Sequence, residues 1–212
     1  MIDKVKQLVE FWIKKNRNGG KPTPAEFNLL AANEQIGVIK ESVKLIGFET
    51  YTVIADEISN LKTEQSLSIA AGKFNQPSDF MFLMGLSSTY TDGVIRRADI
   101  DLLRENEFNY KANSLIVNPV SSYPIARRLD GKYEILPSSI STIRCVYIRQ
   151  PADPIWAYTE PNGRPIYNAS GSTDFELPLS MIERLAYGIL SQMGINVREN
   201  QVISNAESQK NE

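Results

Sequence analysis

Arg127-Arg128-Leu129-Asp130-Gly131-Lys132-Tyr133-Glu134-Ile135-Leu136 centres Asp-Gly between two extended runs. That pattern is the signature of a β-hairpin closed by a two-residue turn. Further strand signals extend from it in both directions. Thr142–Arg149 alternates as a second strand region, and Pro154–Thr159 and Arg164–Tyr167 flank Asn162-Gly163 as a second hairpin. Upstream, Pro77-Ser78-Asp79-Phe80 leads into Met81–Leu86, an apolar, aromatic-containing run that fits a buried strand. The section from Phe80 to about Tyr167 therefore reads as a small antiparallel sheet, with Asp99–Glu105 adding a helical turn or two as an insertion.

The segments outside this section carry helical spacing. Ile2, Val5, Leu8, Val9, Trp12 and Ile13 recur three and four apart, the spacing of a helix with one buried stripe. Asn18-Gly19-Gly20 ends it. Thr23-Pro24-Ala25-Glu26 combines an N-cap hydroxyl, a proline at the first helical position and a glutamate placed to complete a capping box. From there Leu29, Ala32, Ile36, Ile39, Val43 and Ile46 form a heptad-like seam, which packs either on the first helix or on another subunit. Tyr51–Ile54 suggests a short strand or a helix end, and Leu61–Ala71 a mobile connector. Ser180-Met181-Ile182-Glu183 repeats the capping-box pattern before a third amphipathic helix, Leu179 to Met193, closed by Gly194. A polar tail follows from Arg198. The fold class is α+β, read as one folding unit with a helical region over 1–75, an antiparallel β region over 76–172, and a helix with a polar tail over 173–212.

Composition narrows the chemistry. The chain has 212 residues, 42% of them hydrophobic and 23% charged, close to globular averages, so it is expected to fold. It contains no histidine, which removes Ser-His-Asp and Cys-His catalysis and histidine-based metal sites. The single cysteine, Cys145, lies in an apolar run and reads as a small buried hydrophobe. No stretch is apolar enough for a signal peptide or a membrane span, so synthesis in the cytosol without export is expected. A net charge of −2 provides no global positive field for gripping nucleic acid, so any DNA contact would be local or transient.

Gly-x-Gly-x-x-Gly, Gly-x-x-x-x-Gly-Lys-Ser/Thr and Gly-x-Ser-x-Gly are all missing, and no cofactor is expected. Asp92, Asp99 and Asp101 read either as oxygen ligands for Mg²⁺ or Ca²⁺ or as a helix-start cluster favoured by the dipole. The doublets Arg96-Arg97 and Arg127-Arg128 read as contacts to phosphate or an acidic partner rim, or as solvated sheet-edge charges. Trp156, beside Tyr158, is an interface candidate because aromatics are enriched at binding hot spots; the competing reading buries it against the third helix. Trp12 reads as core.

Several of these segments resemble, in order, structural proteins of phages of Bacteroidetes, including crAss-like phages. They are the N-terminal amphipathic helix with Asn-Gly-Gly, then Thr23-Pro24-Ala25-Glu26-Phe27-Asn28, and Pro77-Ser78-Asp79-Phe80. Tyr147-Ile148-Arg149-Gln150-Pro151 with Pro154–Tyr158 follows, then Asp174-Phe175-Glu176-Leu177-Pro178 and the helix leading to Gly194-Ile195-Asn196-Val197-Arg198. The resemblance implies a head-to-tail connector protein, a closed and commonly twelvefold homo-oligomeric ring below the portal and around the DNA channel. Its implied partners are the portal, other neck or tail proteins and, transiently, viral DNA, with no membrane and no catalysis. Arg96, Arg97, Arg127, Arg128, Trp156 and Tyr158 are then the candidate interface or lumen residues. The alternatives are another phage neck, tail or cargo protein, or a non-viral ligand- or peptide-binding module around Trp156 and Tyr158.

Overall fold

The computed structural model describes residues 1–15, 20–45 and 56–194, and the architecture is α+β. Along the chain run α1 (Ile2–Lys15), α2 (Pro24–Leu45), β1 (Lys62–Ser68), β2 (Lys73–Asn75), β3 (Phe80–Asp92), β4 (Val94–Asp99), β5 (Asp101–Leu102) and α3 (Glu105–Ala112). Then come β6 (Ile125–Leu129), β7 (Lys132–Leu136), β8 (Thr142–Arg149), β9 (Tyr158–Thr159), β10 (Ile166–Tyr167) and α4 (Ile182–Gln192). Expectations for Asn18-Gly19, Ile46, Tyr51–Ile54 and the tail from Arg198 lie outside the described residues.

The chain forms two compact units, one of residues up to Asn60 together with those from Pro151, the other Leu61–Gln150. These boundaries differ from the expected divisions at 75/76 and 172/173. The β9–β10 hairpin belongs to the helical unit, so the strand-rich section is split between units rather than forming one sheet.

In the helical unit, Ile2, Val5, Val9 and Ile13 of α1 are buried, as the three-and-four spacing requires. Both α1 and α2 pack on α4, which buries Leu185, Ala186, Ile189 and Leu190. Trp12 is half-buried, its ring centroid 6.3 Å from that of Tyr187. The capping box at the start of α2 is formed: the Glu26 N–H donates to Thr23 Oγ1 at 3.3 Å, and the Thr23 N–H donates to Glu26 Oε2 at 2.8 Å. The Ser180–Glu183 box is not. Leu179–Met181 makes a 3-10 turn instead, and α4 starts after Met181 without a side-chain cap. Gly194, at φ +71°, closes the helix as expected.

The heptad seam assigned to α2 needs correction. Leu29 is 64% exposed, whereas the buried face is Phe27, Ala31, Gln35, Val38, Ile39 and Ser42. Two of these six are polar, and an apolar-only count misses the face because Gln35 is held inward by backbone partners.

The second unit contains two four-stranded sheets, ordered β1-β8-β3-β4 and β2-β7-β6-β5. The first is antiparallel throughout; in the second, β5 pairs parallel with β6. The expected hairpin around Asp130-Gly131 is present as β6–β7, with Leu129 opposite Lys132 and Gly131 at φ +63°. Phe74, Leu86, Ala126, Tyr133, Ile135, Ile143, Cys145 and Tyr147 send side chains from both sheets into one cluster. Phe74 stacks on Tyr133 with centroids 5.0 Å apart, and Phe80 on Tyr147 at 5.6 Å.

Three further expectations change here. Lys62–Ser68, within the expected connector, is an edge strand with seven consecutive partners on β8. Asp99–Leu102 is extended, and the inserted helix starts only at Glu105. Residues 80–85 of β3 are half-buried, with full burial reached only at Leu86, Ser87 and Ser88.

Candidate interaction surfaces

Trp156 is 4% exposed and held on every side by its own unit. Its indole N–H donates to Asp3 Oδ1 at 3.0 Å, and Lys6 Nζ lies 4.0 Å from the ring centroid. Tyr158 and Tyr167, from the two strands of the β9–β10 hairpin, stack on it, each at 5.8 Å. Asn28 of α2 fixes the backbone, with Oδ1 accepting from the Trp156 N–H at 2.8 Å. One turn-pair further on, Gln35 donates to the Ala152 carbonyl at 2.9 Å and accepts from the Glu176 N–H at 2.8 Å. Asn28 and Gln35 of α2 thus clamp the extended segments around residues 152–156 and 176. Trp156 is an internal anchor that bonds to α1 and stacks on the β9–β10 hairpin; Tyr158, 41% exposed, is partly open.

Asp174 reaches back to the start of α1. Its Oδ1 accepts from the Ile2 N–H at 2.5 Å, and its Oδ2 lies 2.8 Å from the Met1 amino group. Partial burial works against ionisation, but these two partners hold the carboxyl below its ordinary range.

The arginine doublets divide. Arg127 is structural: its guanidinium bonds to Glu134, Glu105 and Asn109 and sits 4.6 Å from the Phe108 ring centroid, tying α3 to the hairpin. The Glu134 hydrogen bond, with the nearby carboxylates, holds its pKa above the ordinary value. Arg128 is exposed. Arg96 and Arg97 are exposed on β4, so these three remain open to partners.

Asp92 ends β3, Asp99 ends β4 and Asp101 begins β5, so none sits at a helix start; the acidic first turn of α3 is Glu105 and Glu107. Among the described residues, no group of three or more acidic or cysteine side chains is placed to hold a metal ion. Cys145 is fully buried in β8, and burial pushes its thiol up to about 11.

The sequence reading overlooked the largest apolar exposure. After α3, Leu115 is 101% exposed, Ile116 94%, and Val117, Val120 and Tyr123 are also open. Tyr110 joins them from α3, beside an open groove lined by Leu103, Asn106, Glu107 and Lys111. A second set lies at the turn of the β3–β4 hairpin, where Val94 and Ile95 are exposed. Strand β3 pairs with β8 only as far as Ser88, so Thr89–Asp92 and their partners on β4 extend beyond the sheet as a two-stranded arm. Scattered exposed apolar residues are ordinary, whereas a consecutive run such as Leu115-Ile116-Val117 is the kind of surface that a partner or ligand covers. Among the described residues no helix is long and apolar enough to cross a membrane. Compared with models of known protein families and with curated proteins, the chain matches none.

Proposed function

We propose that this chain is a virion structural subunit that forms a closed homo-oligomeric ring in the head-to-tail connector of a tailed phage, below the portal and around the DNA channel. The observation that carries an assembly role is the consecutive run Leu115-Ile116-Val117, left uncovered with Val120 and Tyr123 on a unit that also exposes Val94, Ile95 and Tyr110. Such a surface is stabilised when a partner removes it from water. The narrower assignment to the neck draws on the ordered sequence features from Thr23 to Arg198. Net charge supports it as well. A conduit for DNA works best without strong phosphate binding, and a subunit of charge −2 avoids the salt-sensitive grip of a basic one. The portal and adjoining neck proteins are the expected neighbours, and the role is non-enzymatic.

Mass measurement of the purified chain, with electron microscopy of particles that contain it, tests this reading. The expected result is a single closed ring, twelvefold as the resemblance implies, at the neck of the particle. A chain that is monomeric both alone and in particles overturns it; an oligomer located elsewhere in the particle overturns the neck assignment.

A further inference from the structure

The sheet β1-β8-β3-β4 ends in two strands, and among the described residues no strand pairs with the outer edge of either. Both are regular: β1 pairs with β8 through seven consecutive positions and β4 with β3 through six, and neither contains proline. Neither edge is blunted by a bulge or a proline; both carry charged side chains, which oppose indiscriminate pairing and favour a strand of complementary charge. From this geometry we infer that β4 of one copy adds antiparallel to β1 of the next, in the register that sets Asp99 against Lys62 and Arg97 against Glu64. The inference rests on the ring reading and specifies its intersubunit contact.

Strand polarity is the first reason. Each neighbouring pair in this sheet is antiparallel, and there are four strands, so β1 and β4 run in opposite directions. A second copy in the same orientation beside the first therefore presents β1 antiparallel to β4, and the sheet continues across the join. This contact joins two different surfaces and repeats by rotation, as a closed ring requires.

The second reason is the match of faces. Directly opposed residues in a sheet share a face. Leu67, Ile143, Ser88 and Ala98 form one row across the four strands; Ile143 and Ala98 are buried and Leu67 packs on the core cluster. The next row, Ser66, Arg144, Ser87 and Asp99, lies on the opposite face. Hence Lys62, Glu64 and Ser66 of β1 share the outer face with Asp99, Arg97 and Ile95 of β4. A join that keeps the core face continuous pairs outer residues with outer residues, so its registers differ in steps of two.

Charge selects among these registers. In the proposed one, Lys62 meets Asp99 and Glu64 meets Arg97, two opposite-sign pairs, while on the inner face the exposed Val94 meets Leu67. A shift of two in one direction sets Lys62 against Arg97. The same shift the other way sets Glu64 against Asp99. Each places like charges directly opposite, which is destabilising. All four charged residues are exposed in the single chain, and Glu64 already bonds Arg144 at 2.8 Å, so the carboxylate would lie between two arginines.

Cysteine pairing tests the contact. Ser66 and Ile95 oppose each other across the proposed join, but within one chain they sit on opposite edges, at least about 14 Å apart at three strand spacings, too far for a disulfide. The Ser66→Cys/Ile95→Cys variant, with buried Cys145 retained, is oxidised mildly and run on a non-reducing gel beside each single variant, while the mass of the assembly is measured in parallel. A ladder of covalent multimers from the double variant alone is the expected result. An assembled ring without a ladder, or dimers from Ile95→Cys alone, overturns the contact but leaves the ring reading intact; a monomer throughout overturns both. A charge test guards against a misfolded cysteine variant. Asp99→Lys should raise the concentration needed for assembly about tenfold, and adding Lys62→Asp should restore it. No rescue in a variant of native circular dichroism sinks the proposed register.

Discussion

Cys145 lies on β8 with Gln65 of β1 opposite on one side and Leu86 of β3 on the other, its thiol inside the core cluster. Burial disfavours the thiolate, and a thiol held near 11 is almost wholly protonated at pH 8. Alkylation by iodoacetamide at pH 8 should therefore run about a hundredfold slower than for a free thiol, from ionisation alone. Reaction should speed up only as denaturant unfolds the chain; rapid labelling of the native protein would mean that the site opens. The apolar run around Cys145 made this burial readable from sequence. Arg127 was not readable in the same way. Its doublet looks like Arg96-Arg97, and it is Glu134 across the hairpin, together with Glu105 and Asn109 of α3, that makes Arg127 structural while the other doublet stays exposed.

At the scale of elements, α2 shows how a helix can be correct in extent and wrong in facing. Its start was legible because a capping box is local chemistry, and Thr23 and Glu26 form it. Its buried face was not, because Gln35 is inward only by virtue of two backbone groups more than a hundred residues away. Replacing Gln35 with leucine should leave the Glu176 N–H and the Ala152 carbonyl unpartnered and cost about 2–3 kcal/mol. Urea denaturation checks this; a loss under about 0.5 kcal/mol would show that water replaces the clamp. The turn leading into β2 was missed for a related reason. Ala71 and Gly72 both take positive φ, closing Ala70 against Lys73, yet Ala-Gly lacks the asparagine or aspartate that usually announces such a turn.

At the scale of the whole molecule, an exposed apolar loop and two open sheet edges remain on the unit of residues 61–150. Leu115→Ser with Ile116→Ser removes apolar surface that is already in water, so the thermal midpoint of the isolated chain should change little. Assembly measured by light scattering should weaken by about tenfold or more if the loop is covered in the assembly. Unchanged assembly in this variant would remove the loop from the interface and leave the sheet edges as the remaining candidates.

The sequence by itself determined the α+β class, the two hairpins, the extent of α1, the start of α2 and the burial of Cys145. Each of these depends on neighbours a few residues apart: spacing, capping, turn chemistry and local hydrophobicity. Tertiary structure alone decided that the β9–β10 hairpin joins the helices, that Trp156 is enclosed by Asp3, Lys6, Tyr158 and Tyr167, and that Lys62–Ser68 is an edge strand. Those outcomes depend on partners distant in sequence, and a strand as polar as β1 is recognisable only by the apolar strand it pairs with.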